Sequence, residues 1–164
     1  MVGRDPLANP EALIQRVYTY VACRIGDGPE AEDVTSDVFE RALRYRNSYD
    51  RRKGEPIAWL IGIARRSISA AGVRREAPEL ASIEPEAEDM EELAVRRLML
   101  RAALARLDDR QQELIALRYG ADLTARQIAE LLGERTNTVE VALHRVLARL
   151  RAELEPERAA EAAP

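Results

Sequence analysis

The stretch from 123 to 150, LTARQIAELLGERTNTVEVALHRVLARL, carries residue types whose spacing could do chemistry. Two short amphipathic segments flank a turn at Gly133, and polar side chains open the second segment. Asn137 and Thr138 can hydrogen-bond to phosphate or to a base, and Arg145 can pair with guanine or phosphate. Two helices joined by a tight turn place such groups in the major groove of DNA. The stretch therefore predicts a helix-turn-helix.

The second helix of this unit divides into an apolar and a polar face. Steps of three and four residues predict a buried row. Its members are Val139, Leu143, Val146, Leu147 and Leu150. The opposite face, expected to meet DNA, comprises Asn137, Thr138, Val141, His144, Arg145, Ala148 and Arg149. Within this face His144 could equally be an ordinary surface residue or a contact to phosphate or to a base. Its imidazole can be neutral or charged near pH 7, according to its surroundings.

Glu140 does not fit a DNA-facing surface easily, because phosphates repel a carboxylate. It could accept a hydrogen bond from cytosine N4. The favoured interpretation is local: with Asn137 as the N-cap, Glu140 would stand at the third helical position and complete a capping box.

Other kinds of chemistry have little support. The chain has one cysteine and one histidine, which excludes an internal disulfide and a Cys/His zinc cluster. No Ser/His/Asp set, Gly-rich phosphate loop, signal peptide or long apolar run is visible in the sequence. We therefore expect no catalytic residue, metal or cofactor, no contact with a membrane, and a cytoplasmic location.

Composition predicts an all-α protein with an uneven charge distribution. The 164 residues are 46% hydrophobic and 4% aromatic, with a net charge of −4. Residues 1–75 carry 13 Lys and Arg against 10 Asp and Glu, whereas residues 76–92 carry 8 acidic and no basic residues. Residues 93–151 carry 11 basic and 7 acidic residues. An acidic linker therefore separates two mildly basic parts, either as a plain spacer or as a mimic of nucleic acid.

Three amphipathic helices are predicted in the first part. Asn9 and Pro10 begin one that ends at Gly26; another runs from near Pro29 to about Tyr45. A third begins at Pro56 and ends among Gly72, Arg74 and Arg75. The loop NSYDRRKGEP between the last two has a basic tip.

Four helices are predicted in the second part. Leucines from Leu93 to Leu107 mark the first of them. Capping boxes at Asp108/Gln111 and Thr124/Gln127 begin the next two, and the recognition helix is the last. We predict domains at 1–75 and 93–154, a linker at 76–92 and a disordered tail at 155–164.

The motifs AEDVTSDVFERAL, PIAWLIGIARRSI and the long segment from ALARLDDRQQELIALRYG to the last helix together resemble the small bacterial sigma factors of the extracytoplasmic-function class. The resemblance covers about residues 11–151. It implies a protein that binds core RNA polymerase and promoter DNA: region 2 docks on the polymerase clamp and opens the −10 element, and region 4 reads the −35 element. The resemblance also implies an anti-sigma protein as regulator, and we expect a monomer because no dimer seam is visible.

The resemblance assigns roles to three groups of residues. Those implied for polymerase binding are Asp33, Asp37, Phe39, Glu40 and Arg41, although Phe39 could instead be a second core contact. Those implied for −10 DNA are Asn47, Ser48, Tyr49, Arg51, Arg52, Lys53, Arg65 and Arg66; a solvated loop is the alternative for the basic tip. Those implied for −35 DNA are Thr124, Arg126, Asn137, Thr138, Val141, His144, Arg145 and Arg149. Trp59, in the AWL motif, is expected in the core.

The chain departs from the family pattern at two places. After IAR the family usually has Asn and then Asp, where this chain has Arg66 and SISAAG, and its recognition helix often opens with a basic residue where Glu140 stands. Two other functions share parts of the pattern: a stand-alone helix-turn-helix regulator, and a polymerase-binding mimic that sequesters the enzyme. Run-off transcription with core polymerase separates the three.

Overall fold

The computed structural model describes residues 5–72 and 90–155, and all regular structure in these ranges is helical. The all-α prediction is therefore confirmed. The first domain contains α1 (Pro10–Ile25), α2 (Pro29–Arg44) and α3 (Pro56–Ala71). The second contains α4 (Met90–Ala105), α5 (Asp109–Ile115), α6 (Ala125–Leu132) and α7 (Thr136–Leu154).

The predicted linker and tail lie almost wholly outside the described residues. Of the linker, only 90–92 are described, and they form the first turn of α4. Helix α4 thus begins before the predicted boundary at 93. Of the tail, only Glu155 is described, as the residue that ends α7.

The helix ends of the first domain follow local signals. Each of its helices has a proline at the first position, where the missing N–H costs nothing. Gly26 and Gly72 end α1 and α3 with φ of 96° and 61°, values that favour glycine. Asn9 occupies the predicted N-cap position of α1, but its side chain makes no capping hydrogen bond.

Both capping boxes predicted for the second domain are confirmed. The Asp108 side chain accepts from the Gln111 N–H at 2.8 Å, and Thr124 accepts from the Gln127 N–H at 3.2 Å. In each box the side-chain oxygen of the glutamine accepts a hydrogen bond from the backbone N–H of the cap residue. One feature was not predicted: α5 runs on into a π-helical turn, Ala116–Gly120, before the chain reaches α6.

The predicted start of α7 is wrong. The helix begins at Thr136 with Arg135 as its N-cap, and no side chain caps it. Gly133 ends α6 in the left-handed conformation, and the chain re-enters a helix two residues earlier than Asn137 as cap would require. Asn137 is therefore the second helical residue, and Glu140 lies beyond the first turn, where a capping-box contact is out of reach.

The two domains share one hydrophobic core. Its buried side chains come from α1, α2 and α3 and also from α5, the π-turn, α6 and α7. Tyr20, Leu117 and Ile128 are each fully buried in this cluster. A second, smaller cluster of Ala103, Leu107, Val146 and Leu150 fastens α4 to α7. The chain is thus a single packed body in which the helix-turn-helix is held against the first domain.

Candidate nucleic-acid interface

Helix α7 turns its polar face to solvent. Of the row predicted to be buried, Val139, Leu143, Val146 and Leu150 are buried, whereas Leu147 is only half-buried. The residues on the opposite side are all exposed: Asn137, Thr138, Val141, His144, Arg145, Ala148 and Arg149. Within residues 5–72 and 90–155 the guanidinium of Arg145 has no hydrogen-bond or ion-pair partner. This face is therefore open to a ligand that offers acceptors, such as DNA.

Arg149 differs from Arg145 although both stand on the same face. Its guanidinium donates to the Gln111 side chain at 3.1 Å, to the Arg106 carbonyl at 3.1 Å and to Glu153 at 3.2 Å. These bonds tie α7 to the end of α4 and the beginning of α5. Arg149 thus has a structural role that the sequence did not reveal.

Glu140 is exposed near the start of α7. The described part of the chain offers its carboxylate no partner. Since the capping role is excluded by the helix start, the carboxylate remains available as an acceptor for a base donor such as cytosine N4.

Thr124 and Arg126 lie at the beginning of α6, the first helix of the helix-turn-helix. The Thr124 hydroxyl oxygen accepts the Gln127 N–H but keeps its own hydrogen for donation. The Arg126 side chain is exposed and pairs with Glu130 one turn later at 3.1 Å. An exposed pair of this kind is weak, so Arg126 can exchange its partner for a phosphate.

The loop between α2 and α3 is built from two short 3₁₀ turns, Arg46–Ser48 and Arg51–Lys53. Tyr49, between them, anchors the loop. Its hydroxyl donates to the Gly54 carbonyl at 2.9 Å, and its ring lies 5.5 Å from that of Trp59, tilted by 54°. Burial raises the pKa of the Tyr49 hydroxyl. The Tyr49 side chain thus stabilises the loop through its own hydrogen bond and ring contact.

The tip of the loop is exposed and basic. Arg51, Arg52 and Lys53 project to solvent, and the Asp50 carboxylate fixes the turn by accepting the Arg52 N–H at 3.0 Å. Asn47 and Ser48 are also exposed, and the Ser48 hydroxyl donates to the Tyr45 carbonyl. The tip therefore offers positive charge on a backbone that is already ordered.

The two arginines of α3 that were predicted to contact DNA have different surroundings. Arg66 is exposed and borders a cleft between the loop, α3 and α6. Arg65 donates from Nε to the Glu113 carboxylate of α5 at 2.8 Å. The structure therefore leaves Arg66 open and engages Arg65 with the second domain. Trp59, half-buried beside Tyr49, fits the predicted core role with one edge on the cleft.

Helix α2 presents the residues that the resemblance assigns to polymerase binding. Asp33 and Glu40 are exposed. The Asp37 carboxylate accepts from Arg41 at 3.0 Å and from the Ser67 hydroxyl at 2.8 Å, which fixes it between α2 and α3. Phe39 is half-buried and packs against the hydrophobic core, so part of its ring contributes to core packing.

The described residues contain no cluster of three or more His, Cys, Asp or Glu side chains that could hold a metal ion. None of the helices in 5–72 and 90–155 has the length and apolar character needed to cross a bilayer.

Two family models match different parts of the chain. The family model for Sigma-70 region 2 matches residues 11–77, and that for Sigma-70, region 4 matches residues 97–150. The ECF RNA polymerase sigma factor SigK of Mycobacterium sp. (strain KMS) is 30% identical over 135 residues, spanning 76% of this chain and 70% of that protein. The ECF RNA polymerase sigma factor BldN of Streptomyces coelicolor is 29% identical over 143 residues, spanning 80% and 53%.

Two solved structures share the fold. The sigma factor RpoE of Bartonella quintana, in complex with the anti-sigma factor NepR, aligns with a TM-score of 0.67 at 19% identity over 87% of this chain and 92% of that one. CnrH, in complex with the cytosolic domain of CnrY, aligns with a TM-score of 0.60 at 22% identity over 90% and 82%.

Proposed function

The chain belongs to the extracytoplasmic-function class of the sigma-70 family, and on this premise we propose which of its residues carry each step of promoter recognition. As a sigma factor it binds core RNA polymerase and directs promoter-specific transcription initiation. What remains to be assigned is where each DNA element and the polymerase touch the chain.

The −35 element binds the open face of α7. The observation that carries this assignment is the exposed set Asn137, Thr138, Val141 and Arg145 directly opposite the buried row of the same helix. Side chains near the beginning of a recognition helix, here Asn137, Thr138 and Val141, are the groups that reach base edges in the major groove, and Arg145 lies about two turns further along the same face. Arg126 and the Thr124 hydroxyl, at the start of α6, hold the flanking phosphates.

The −10 element binds the loop between α2 and α3. Asn47 and Ser48 face solvent beside the Tyr49–Trp59 pair, and the basic tip stands next to them. A base taken out of the duplex needs hydrogen-bonding groups and a stacking surface, while its strand needs positive charge along the backbone. The loop supplies all three, and Arg66 extends the positive surface along α3.

The polymerase docks on α2. Asp33 and Glu40 provide exposed acidic groups, and the Asp37–Arg41 pair keeps both of its side chains on the same face at a fixed separation. The exposed edge of Phe39 supplies an apolar contact. Charged groups around a partly exposed aromatic ring are typical of protein interfaces.

An anti-sigma protein covers α4. The first three turns of this helix expose the large apolar side chains of Leu93, Val95, Leu98, Met99 and Leu100, more apolar surface than a free monomer usually leaves uncovered. The sigma factor RpoE was solved in complex with the anti-sigma factor NepR, and CnrH in complex with the cytosolic domain of CnrY, which supports assigning this exposed apolar surface to a protein partner such as an anti-sigma factor.

Run-off transcription tests the proposal. Core polymerase is combined with the purified chain on templates that carry randomised −10 and −35 elements, and the transcripts are sequenced. Transcripts from a restricted promoter set support the assignment. A chain that binds duplex DNA tightly without polymerase would be a stand-alone regulator, and one that binds polymerase but yields no transcript would be a sequestering mimic.

A further inference from the structure

One face of α4 is left uncovered by the described part of the chain. Val95, Leu98, Ala102 and Ala105 recur at steps of three and four, which places them on one side of the helix. All four are exposed, whereas Ala103 is buried against α7. We call these four residues the outer row. Its two large side chains, Leu98 and Val95, are 60% and 52% exposed.

The spacing of the outer row is that of a helix that pairs with another helix. Alternating steps of three and four repeat every seven residues, as they do in the contact rows of coiled coils. Leu93 and Leu100 are exposed on another side of α4. A helix that is apolar on several sides is normally a buried one. The outer row therefore fits a helical partner.

Side-chain size changes along the outer row. Val95 and Leu98 come first, and Ala102 and Ala105 come last. In an antiparallel pair of two such helices, Leu98 lies opposite Ala102 of the second copy, and Val95 lies opposite Ala105 of the second copy. Each large side chain then meets a small one, so the contact is filled along its length. A parallel pair would instead place large against large and leave a gap between the alanines.

Charge at the two ends of the outer row also changes sign. Glu91 is exposed in the first turn of α4, and Arg106 is exposed directly after the last. The Arg106 side chain is 69% exposed and lies 3.6 Å from Glu153, an ion pair weak enough to be exchanged. The antiparallel pair brings Glu91 within about one helical turn of Arg106 of the second copy. A parallel pair would set like charges together, so charge and size favour the same orientation.

We propose that the free chain forms a symmetric dimer in which the outer row of α4 packs antiparallel on the outer row of a second copy. A surface that is complementary to itself in reverse order fits a two-fold axis, because every contact then occurs twice. At about 1.5 Å per residue, the 16 residues of α4 are about 24 Å long. One such helix from each copy makes a small interface, which is typical of weak and reversible complexes. No dimer seam was visible in the sequence, because half of the outer row is alanine.

The dimer goes beyond the proposed function and does not depend on where DNA or polymerase binds. It uses Val95 and Leu98, which belong to the apolar surface proposed for an anti-sigma protein. The two occupants therefore exclude each other. The dimer covers this surface only in chains that no anti-sigma protein holds.

Sedimentation equilibrium of the full-length free chain, over a wide range of concentration, measures the association. The parent protein should show a reversible equilibrium between monomer and dimer. Leu98→Asp places a carboxylate in the outer row of each copy and should weaken association by at least about a hundredfold. Leu43→Asp is the matched control, since Leu43 is 57% exposed but lies on α2, and it should leave association unchanged. Far-ultraviolet circular dichroism checks that both variants keep their helices.

Two charge reversals test the orientation. Glu91→Arg or Arg106→Glu alone sets like charges together at both ends of the contact and should weaken association about tenfold. An equimolar mixture of the two variants should form mixed dimers about as strongly as the parent protein, because each variant carries the charge that the other lacks. A chain with both reversals should also associate like the parent. Recovery in the mixture cannot come from improved folding, because neither protein in it has changed.

Three results would overturn the dimer. They are a parent protein that stays monomeric at every concentration, an equal response to Leu98→Asp and Leu43→Asp, and single charge reversals that do not recover in the mixture. The proposed function is tested separately, because run-off transcription measures promoter selection by the holoenzyme whether or not the free chain dimerises.

Discussion

Two arginines on the same face of α7 should respond to alanine in opposite ways. Arg145 is exposed and has no partner among residues 5–72 and 90–155, whereas the guanidinium of Arg149 makes three hydrogen bonds to its own domain. We expect Arg145→Ala to weaken −35 binding by about 1–3 kcal/mol, or roughly 5- to 150-fold, if the contact is to a base. Its effect on the free energy of unfolding should stay within about 0.5 kcal/mol, as for other exposed positions.

Arg149→Ala should act mainly on stability. Hydrogen bonds to charged groups contribute about 1.5–3 kcal/mol when buried, but the Arg149 side chain is 44% exposed, which reduces the three together to about 1–2 kcal/mol. At roughly 2–4 °C per kcal/mol for a chain of this size, the melting temperature should fall by several degrees. Affinity for −35 DNA should change by less than about threefold, since the side chain is already engaged.

The assay for both variants is the affinity of the reconstituted holoenzyme for a −35 duplex, measured at several salt concentrations beside thermal melts of the free chain. A base contact by Arg145 relaxes specificity at one position; a phosphate contact weakens all sequences alike and lowers the salt slope by about 1. The reasoning is refuted if Arg145→Ala leaves a −35-dependent promoter unaffected, or if Arg149→Ala lowers affinity more than Arg145→Ala without lowering the melting temperature.

Three further predictions follow from single side chains. Glu140→Gln should shift one −35 position from cytosine towards adenine, because an amide pairs with adenine where a carboxylate accepts from cytosine N4; selection from a randomised −35 library measures this, and an unchanged preference removes Glu140 from the bases. Asn47→Ala should alter the preferred −10 sequence, whereas Lys53→Ala should weaken all −10 sequences alike, as transcript sequencing would show; identical profiles would make the loop purely structural. Burial and the neighbouring Glu113 carboxylate raise the pKa of the Tyr20 hydroxyl above 10, so the free energy of unfolding should hold below pH 10 and fall above it. In the Tyr20→Phe variant, the free energy of unfolding measured by urea titration should fall less steeply above pH 10 than in the parent protein. Equal dependence on pH in the two proteins would contradict the raised pKa.

Local sequence signals predicted the helices well. The signals used were proline at the first helical position, the two capping boxes and the glycines at helix ends. Each of them affects only the backbone within a few residues, so the local sequence is enough to predict its effect. The start of α7 was missed because Arg135, which makes no side-chain cap, carries no such signal, while Asn137 carries a misleading one. The polar face of α7 was nevertheless predicted correctly, since helical periodicity does not depend on the exact first residue.

Contacts between distant parts of the chain could not be predicted. The partners of Glu113 lie in α1 and α3, and those of Arg149 outside its own helix lie in α5 and at the end of α4. A charged residue on a helix surface looks the same in sequence whether solvent or another helix faces it. The π-turn is likewise invisible, because the segment Ala116–Gly120 has the composition of an ordinary helix. The assignment of each residue to −10 DNA, −35 DNA or polymerase stays a prediction.

The single core that Tyr20 shares with Leu117 and Ile128 has a consequence for how the free chain unfolds. Two domains with separate interiors melt independently, but here neither half can lose its structure without exposing apolar surface of the other. Calorimetry should therefore record one cooperative transition, with equal calorimetric and van't Hoff enthalpies. Amide hydrogens of α1 and of the π-turn should exchange with solvent at matching rates, as members of one unfolding unit.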